Sequence, residues 1–396
     1  MKFNFFKKLY LILLIQIVII SNSFNCYAVT LPDGILPPES TGVHPMFPLR
    51  SDEEKITIAD DFIEWDELDK IIHDYNPEVR NSWNNYQTNK FSNDITDSYL
   101  NAAEKFDSMS SEASSGAQEA MYEAQSYAMQ MNAENNVSDS LTNYYQCQML
   151  EARVLLNTKK LFINYYKNKL LHEVAVLTEE EAKREYNSAT TKHSLGAITK
   201  VDELNAKVNY LTKQSETITA LSNYNKTKQN LLVSLGKDYK SESVVISAVP
   251  PVDFNLIVLT NPEMDKIDAI NNNFQYKIYL RNLDNSQTVS NQSKYQLLVN
   301  NSEEFIKADI ENKFRSVKDS MNSLMLAKQK EIATNDDFKK IAKEYKLGSV
   351  SKREYKTAEY NKNVATKSAE IAYYDFEIIY FDYLASINGL ANASAG

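Results

Sequence analysis

A chain of 396 residues, 43% hydrophobic and 24% charged, has the apolar content for a core, yet its mean hydropathy of −0.46 leaves much of its surface wet. Its formal net charge is −10, and such a surface repels nucleic acid and anionic lipid heads, so nucleic-acid partners are excluded. Only 8 Gly and 9 Pro punctuate the chain, and five of those prolines fall between Leu31 and Pro48, so long helices must make up most of the rest.

The first residues carry Lys2, Lys7 and Lys8, then an apolar run from Leu9 to Ile20, then a polar stretch ending at Tyr27-Ala28. That is the pattern of a secretory signal peptide over residues 1–28, and it implies an extracytoplasmic location in the cell envelope. The run is short for a membrane span. Ser23-Phe24-Asn25 before Cys26 lacks the small residues of a lipidation site. Loss of the three lysines takes the mature charge to −13, since residues 1–28 hold no acid. One cysteine then remains, Cys147, which rules out an intramolecular disulfide. On an apolar helical stripe it reads as a small hydrophobe.

Residues 29–61 are proline-rich and without periodicity, an extended leader. Phe62, Trp65, Leu68, Ile72 and Tyr75 follow at spacings of three and four, one face of a short helix. Asn76-Pro77-Glu78 then supplies a cap, a proline at the first helical position and an acid in the first turn. Asn261-Pro262-Glu263 repeats the signal after a linker over 238–260 whose Pro250-Pro251 pair forbids a continuous helix. The chain therefore divides into two repeats, 62–237 and 261–390, with a tail over 391–396. Each runs through a long polar helix, a Leu-Gly corner and a returning helix.

The corners are Leu195-Gly196 and Leu347-Gly348, where glycine's freedom to take positive φ ends one helix. Thr199 with Asp202, and Ser351 with Glu354, then place an acid three residues after a hydroxyl, a capping box for the next helix. The returning segments are nearly equal, Gly196 to Gly236 and Gly348 to Gly389. The outgoing ones are not, and the surplus of the first is assigned to SMSSEASSGAQEAMYEAQSYAMQMNAENN, whose composition favours helix or polar loop. After the first corner Val201, Leu204, Val208, Leu211, Ile218, Leu221, Leu232 and Leu235 fall at coiled-coil spacing, interrupted by Ser215, Asn225 and Gln229. The last helix, IAYYDFEIIYFDYLASI, is apolar or aromatic on more than one face and must touch neighbours on two sides.

No glycine-rich phosphate loop, paired-cysteine motif or His-x-x-x-His helix occurs. His44 lies in the leader, and His73, His172 and His193 are far apart along helices. Acidic runs such as LTEEEAKREY read as solvated helix faces. No catalytic, cofactor-binding or metal-ligating residue is assigned, and the chain is read as a non-enzyme.

Two tandem halves with paired corners and a signal peptide resemble the TolC-like outer-membrane efflux family. The most specific element is glycine followed at +3 by Ser/Thr, at +6 by an acid and at +10 by Ala. It is met by Gly196, Thr199, Asp202 and Ala206, and again by Gly348, Ser351, Glu354 and Ala358. The resemblance implies an all-α fold of two long antiparallel coiled-coil hairpins per chain, three chains forming a twelve-helix barrel. It further implies a conduit in an efflux or type I-like export system. The helical hairpin of a periplasmic adaptor would dock at Leu195, Gly196, Ala197, Ile198 and Thr199 and at Leu347, Gly348, Ser349, Val350 and Ser351, linking the tube to an inner-membrane exporter.

Asp202 and Glu354 would stand at the tip entrance. Thr357 and Val350 depart from the acid and the tethering Arg found in some members. Barrel strands, two per repeat in the family, are not found. The expected product is an all-helical relative that does not span an outer membrane. The alternative is a secreted or envelope-associated coiled-coil spacer without transport activity.

Overall fold

The computed structural model describes Pro48 and residues 50–89, 94–137, 139–252, 254 and 261–394; the signal segment and His44 lie outside them. The leader proves shorter than expected, because Ser51 starts a helix, α1 (Asp52–Ala59). The Glu54 N–H donates to Ser51 Oγ and the Ser51 N–H to the Glu54 carboxylate, each at 3.1 Å, so two orphan donors of the first turn are satisfied.

A second correction follows at once. The helix read over Phe62 to Tyr75 begins only at α2 (Leu68–Tyr75), after a 3-10 turn over Trp65–Glu67. Phe62–Ile63 is a strand, β1, paired in parallel with β2 (Val245–Ile246) from inside the expected linker. Alternation sends Phe62 outward and buries Ile63, and the partner strand lies too far along the chain for a local pattern to reveal it.

The remaining helices are α3 (Pro77–Asn89), α4 (Asp94–Ser111), α5 (Gly116–Asn135), α6 (Ser140–Ser194), α7 (Lys200–Ser234), α8 (Pro262–Asn272), α9 (Phe274–Asn285), α10 (Val289–Lys346) and α11 (Lys352–Ala385). At 1.5 Å per residue α6 and α10 are each about 80–90 Å long, far beyond the needs of a compact bundle. They form two compact units. One holds α4 and α5 with residues 285–293, and the segment rich in Ala and Met is thus a helical hairpin. Within it the Glu134 carboxylate accepts from Thr288 N, Thr288 Oγ1 and Asn291 Nδ2, each at 2.8 Å, supplying the acceptor that the start of α10 lacks.

The other unit holds the long helices. α7 packs on α6 through Asn168 Nδ2 to Thr227 Oγ1 at 2.7 Å and Tyr224 to Tyr165 at 3.0 Å. α6 packs on α11 through ion pairs of Lys160 with Asp382, Lys167 with Asp375 and Lys367 with Glu173. α11 packs on α10 through Phe314 against Tyr383 and Tyr345 against Tyr355. The order is α7–α6–α11–α10, which leaves α7 and α10 at the edges.

Asn76 and Asn261, matched in the sequence, are not equivalent in the fold. Asn76 Oδ1 accepts from Glu78 N and Val79 N while Nδ2 reaches Ser234 O, 2.7 Å away beside Gly236. The residue that does this in the second half is Asn273: it caps α9 through Tyr276 N and donates to Ala391 O at 2.8 Å, beside Gly389. Asn261 caps α8, the counterpart of α2. In this register α3 matches α9, α6 matches α10 and α7 matches α11. Between the first two members stand residues 90–139 in one half and 286–288 in the other. The α4–α5 hairpin is the whole surplus, and it occupies the chain positions where the family resemblance implies barrel strands.

Two apolar clusters anchor the long helices. One gathers Ile63, Trp65, Leu68 and Ile72 with Trp83, Phe162 and Leu232; Cys147, 6% exposed, sits among them as a small hydrophobe. The other gathers Ile306, Ile310, Val317 and Phe376 with Tyr380 and Tyr383. The last helix thus meets neighbours on two sides, as its composition requires. Glu377 is fully buried between aromatic turns of α11, and neither carboxylate oxygen finds a hydrogen-bond partner among the described residues. Burial pushes its carboxyl up to about 7.

Two tests follow from this packing. A Cβ on Gly236 would meet Tyr75 O at 2.2 Å with φ at +68°, whereas one on Gly196, φ +73°, meets nothing within 4 Å. Gly236→Ala should cost about 3 kcal/mol or more and Gly196→Ala about 1 kcal/mol, read from denaturant midpoints. Equal costs would contradict the close approach. For Glu377 the folded carboxyl holds its proton to higher pH than the unfolded one, so stability falls as pH rises from about 4.5 towards 7. Glu377→Gln should therefore raise the melting temperature by several degrees at pH 8 and leave it nearly unchanged at pH 5.

Candidate functional site

Both corners are built by one hydrogen-bond scheme. Gly196 N donates to His193 O at 2.9 Å and Ala197 N to Lys192 O at 2.8 Å; Gly348 N donates to Tyr345 O at 3.0 Å and Ser349 N to Glu344 O at 2.9 Å. A bond spanning five residues outside one spanning three is the Schellman motif, and it requires the left-handed glycine, with φ +73° and +75° here. Neither glycine has a heavy atom near its missing Cβ, so the residue is demanded by dihedral angle and not by crowding.

The restart is equally local. Asp202 N donates to Thr199 Oγ1 at 3.2 Å and Thr199 N to the Asp202 carboxylate at 2.9 Å; Glu354 N donates to Ser351 Oγ at 3.2 Å and Ser351 N to the Glu354 carboxylate at 2.8 Å. The Thr199 hydroxyl holds Asp202 below its ordinary range, and the Ser351 backbone N–H does the same for Glu354. The two acids expected at a tip entrance are thus engaged in closing their own helices.

Of the expected docking residues, Leu195 and Leu347 project furthest, 78% and 81% exposed. Ala197, Thr199, Ser349 and Ser351 are exposed and Ile198 and Val350 half-buried. The corners stand side by side: Arg353 Nη1 donates to Ser188 Oγ at 3.3 Å and Thr357 Oγ1 to Glu181 Oε1 at 3.1 Å. One continuous surface results.

The apolar spacing on α7 has an unforeseen orientation. Glu203, Ala206, Tyr210, Lys213, Thr217, Ala220, Tyr224 and Leu231 turn inward at heptad spacing, a seam largely of polar, small and aromatic residues. Val201, Leu204, Val208, Leu211, Ile218 and Leu221 form a second seam, all of it exposed. Only Leu232 and Leu235 at its far end are buried. Spacing shows that a helix has an apolar face, but not what covers it. On the opposite edge Met325, Leu326 and Ile332 of α10 are likewise exposed.

The histidines go separate ways. His73 Nδ1 lies 2.8 Å from Glu151 Oε1, His193 Nδ1 lies 3.0 Å from Glu203 Oε2, and His172 is half-buried on α6. Among the described residues no group of three or more His, Cys, Asp or Glu could hold a metal ion.

No protein-family model and no curated protein matches the sequence. Solved structures do match in shape. A membrane protein from Pseudomonas aeruginosa shares 9% identity over 84% of this chain and 91% of its own, with a TM-score of 0.53. The outer-membrane channel OprN matches at 9% identity over 82% and 89%, TM-score 0.49. The CmeC outer membrane channel of Campylobacter jejuni matches at 12% over 71% and 70%, TM-score 0.48. At such identities the likeness is one of fold.

Acid tests the caps. A carboxylate whose pKa is depressed by folding stabilises above its unfolded pKa and loses that contribution as pH falls through the folded value. The first turns of α7 and α11 should therefore stay closed through the ordinary carboxylate range and fray only below it, followed by carboxyl NMR titration of Asp202 and Glu354. Ser351→Ala should cost about 1 kcal/mol and raise the Glu354 midpoint only part of the way, since the backbone N–H at 351 still donates to the carboxylate.

Proposed function

With a TolC-like fold as premise, we propose that the chain is one subunit of a trimeric envelope conduit in an efflux or export system. An adaptor-type helical hairpin would bind at its two corners and link it to an inner-membrane exporter. The observation that carries this reading is the exposed apolar seam on α7. A four-helix layer whose α6–α7 seam is largely polar, small and aromatic while its two edges display Val208, Ile218, Leu326 and Ile332 to solvent offers apolar faces that other chains would cover. Edge α7 of one subunit against edge α10 of the next is a head-to-tail contact, and such contacts close into a ring when the rotation permits. Three chains with four long helices each would give twelve staves.

The α4–α5 hairpin favours a second reading. Occupying the chain positions where the family resemblance implies barrel strands, it suits an envelope-associated spacer that keeps the helical fold without transport. The two readings differ in whether the assembled core is hollow.

Light scattering with electron microscopy of the purified mature chain separates them. Hollow three-chain particles are expected, and Val208→Glu with Ile218→Glu should reduce them to monomers with unchanged helix content by circular dichroism. A monomeric rod from the unaltered chain at micromolar concentration would defeat the tube and leave the spacer.

A further inference from the structure

We propose that the corner surface is built for an acidic partner: the helical hairpin it receives carries Asp or Glu in the turns beside its loop. The inference rests on the docking reading above and adds the charge of the partner.

The chain as a whole is acidic, −10, yet the run from Lys339 to Lys356 holds seven Lys or Arg against two acids. Asp336 takes Lys339 at 2.8 Å, Asp337 and Glu185 stand exposed one turn or more below the corners, and the acids nearest the corners are engaged. Asp202 and Glu354 are held by their own caps. Glu203 lies between Lys200 at 2.6 Å and His193 at 3.0 Å, and Glu359 takes Lys356 at 2.6 Å. Glu344 is half-buried. Lys343, Lys346 and Lys352 are exposed and make no ion pair among the described residues, and Arg353 reaches only Ser188 Oγ. A surface that spends its carboxylates on its own helix starts while leaving its cations in solvent favours negative charge opposite.

Geometry favours a hairpin over an anionic lipid surface. Lys340, Lys343 and Lys346 climb the side of α10 at intervals of three residues, about 9 Å along the axis. A flat surface meeting the corners end-on would reach the last of them, while a helix lying alongside meets all three. The corners also expose no Trp or Phe, the side chains that seat a helix in a membrane interface. Leu195 and Leu347 project furthest from the corners, suited to packing in the shallow groove between two partner helices.

The test uses two synthetic helical hairpins with identical apolar positions, one with Glu and one with Lys in the turns beside the loop, titrated calorimetrically into the full mature chain. Phosphatidylglycerol vesicles serve as the lipid probe. At 50 mM salt the Glu hairpin should bind at least about tenfold tighter than the Lys hairpin, and 500 mM salt should erase the preference. The variant Lys343→Glu/Lys346→Glu/Lys352→Glu, its helix content verified by circular dichroism, should reverse the order.

Equal binding of both hairpins would overturn the charge assignment while leaving docking in place. Leu195→Asp/Leu347→Asp separates the two claims, since binding of both hairpins unchanged by it would sink the docking reading itself. Binding of neither hairpin, or of vesicles alone, would overturn the acidic-hairpin proposal.

Discussion

Reversal of a very long helix at a single residue is the constraint on which the architecture rests. α6 and α10 run 55 and 58 residues, and each is turned back within five residues by one left-handed glycine and one hydroxyl cap. A looser connection would let the returning helix slide or rotate. Ion pairs between α6 and α11 such as Lys160 with Asp382 have no such authority, since partly exposed pairs contribute about 1 kcal/mol or less. The corners set the register, and the ladders of side chains accept it.

The opposite end is fixed differently. There Asn76 and Asn273 each cap one helix with the side-chain oxygen and hold the returning chain with the nitrogen, next to a glycine packed against backbone. Two ends of one hairpin thus use glycine for unlike reasons, dihedral freedom in open space at Gly196 and Gly348 and close approach at Gly236 and Gly389. The Asn tethers also define the repeat, which matches α3, α6 and α7 with α9, α10 and α11 in length and leaves the α4–α5 hairpin inserted in the first half.

Legibility in the sequence followed the range of the interactions. Leu-Gly corners and capping boxes are complete within ten residues, so Gly196, Thr199, Asp202 and their counterparts could be read directly. The helix α1 was hidden by the prolines before it, although Ser51 and Glu54 carry the same capping signature. Asn261 misled because Asn-Pro-Glu marks any capped helix start, and only contact with the returning chain shows that Asn273 is the counterpart of Asn76. The pairing of Phe62–Ile63 with Val245–Ile246 joins segments whose partners no periodicity reveals. The tip cations are local too, but the net charge of the chain points the other way.

The outward seam of α7 bears on how such a chain comes to exist at all. From Val201 to Leu221 it presents a hydrophobic ridge about 30 Å long, and none of the described residues folds over it. In the proposed assembly a newly made subunit would face a race between meeting its siblings and sticking to strangers. That race is decided by how many copies are released together, which makes yield at dilution, rather than melting temperature, the quantity most sensitive to this ridge.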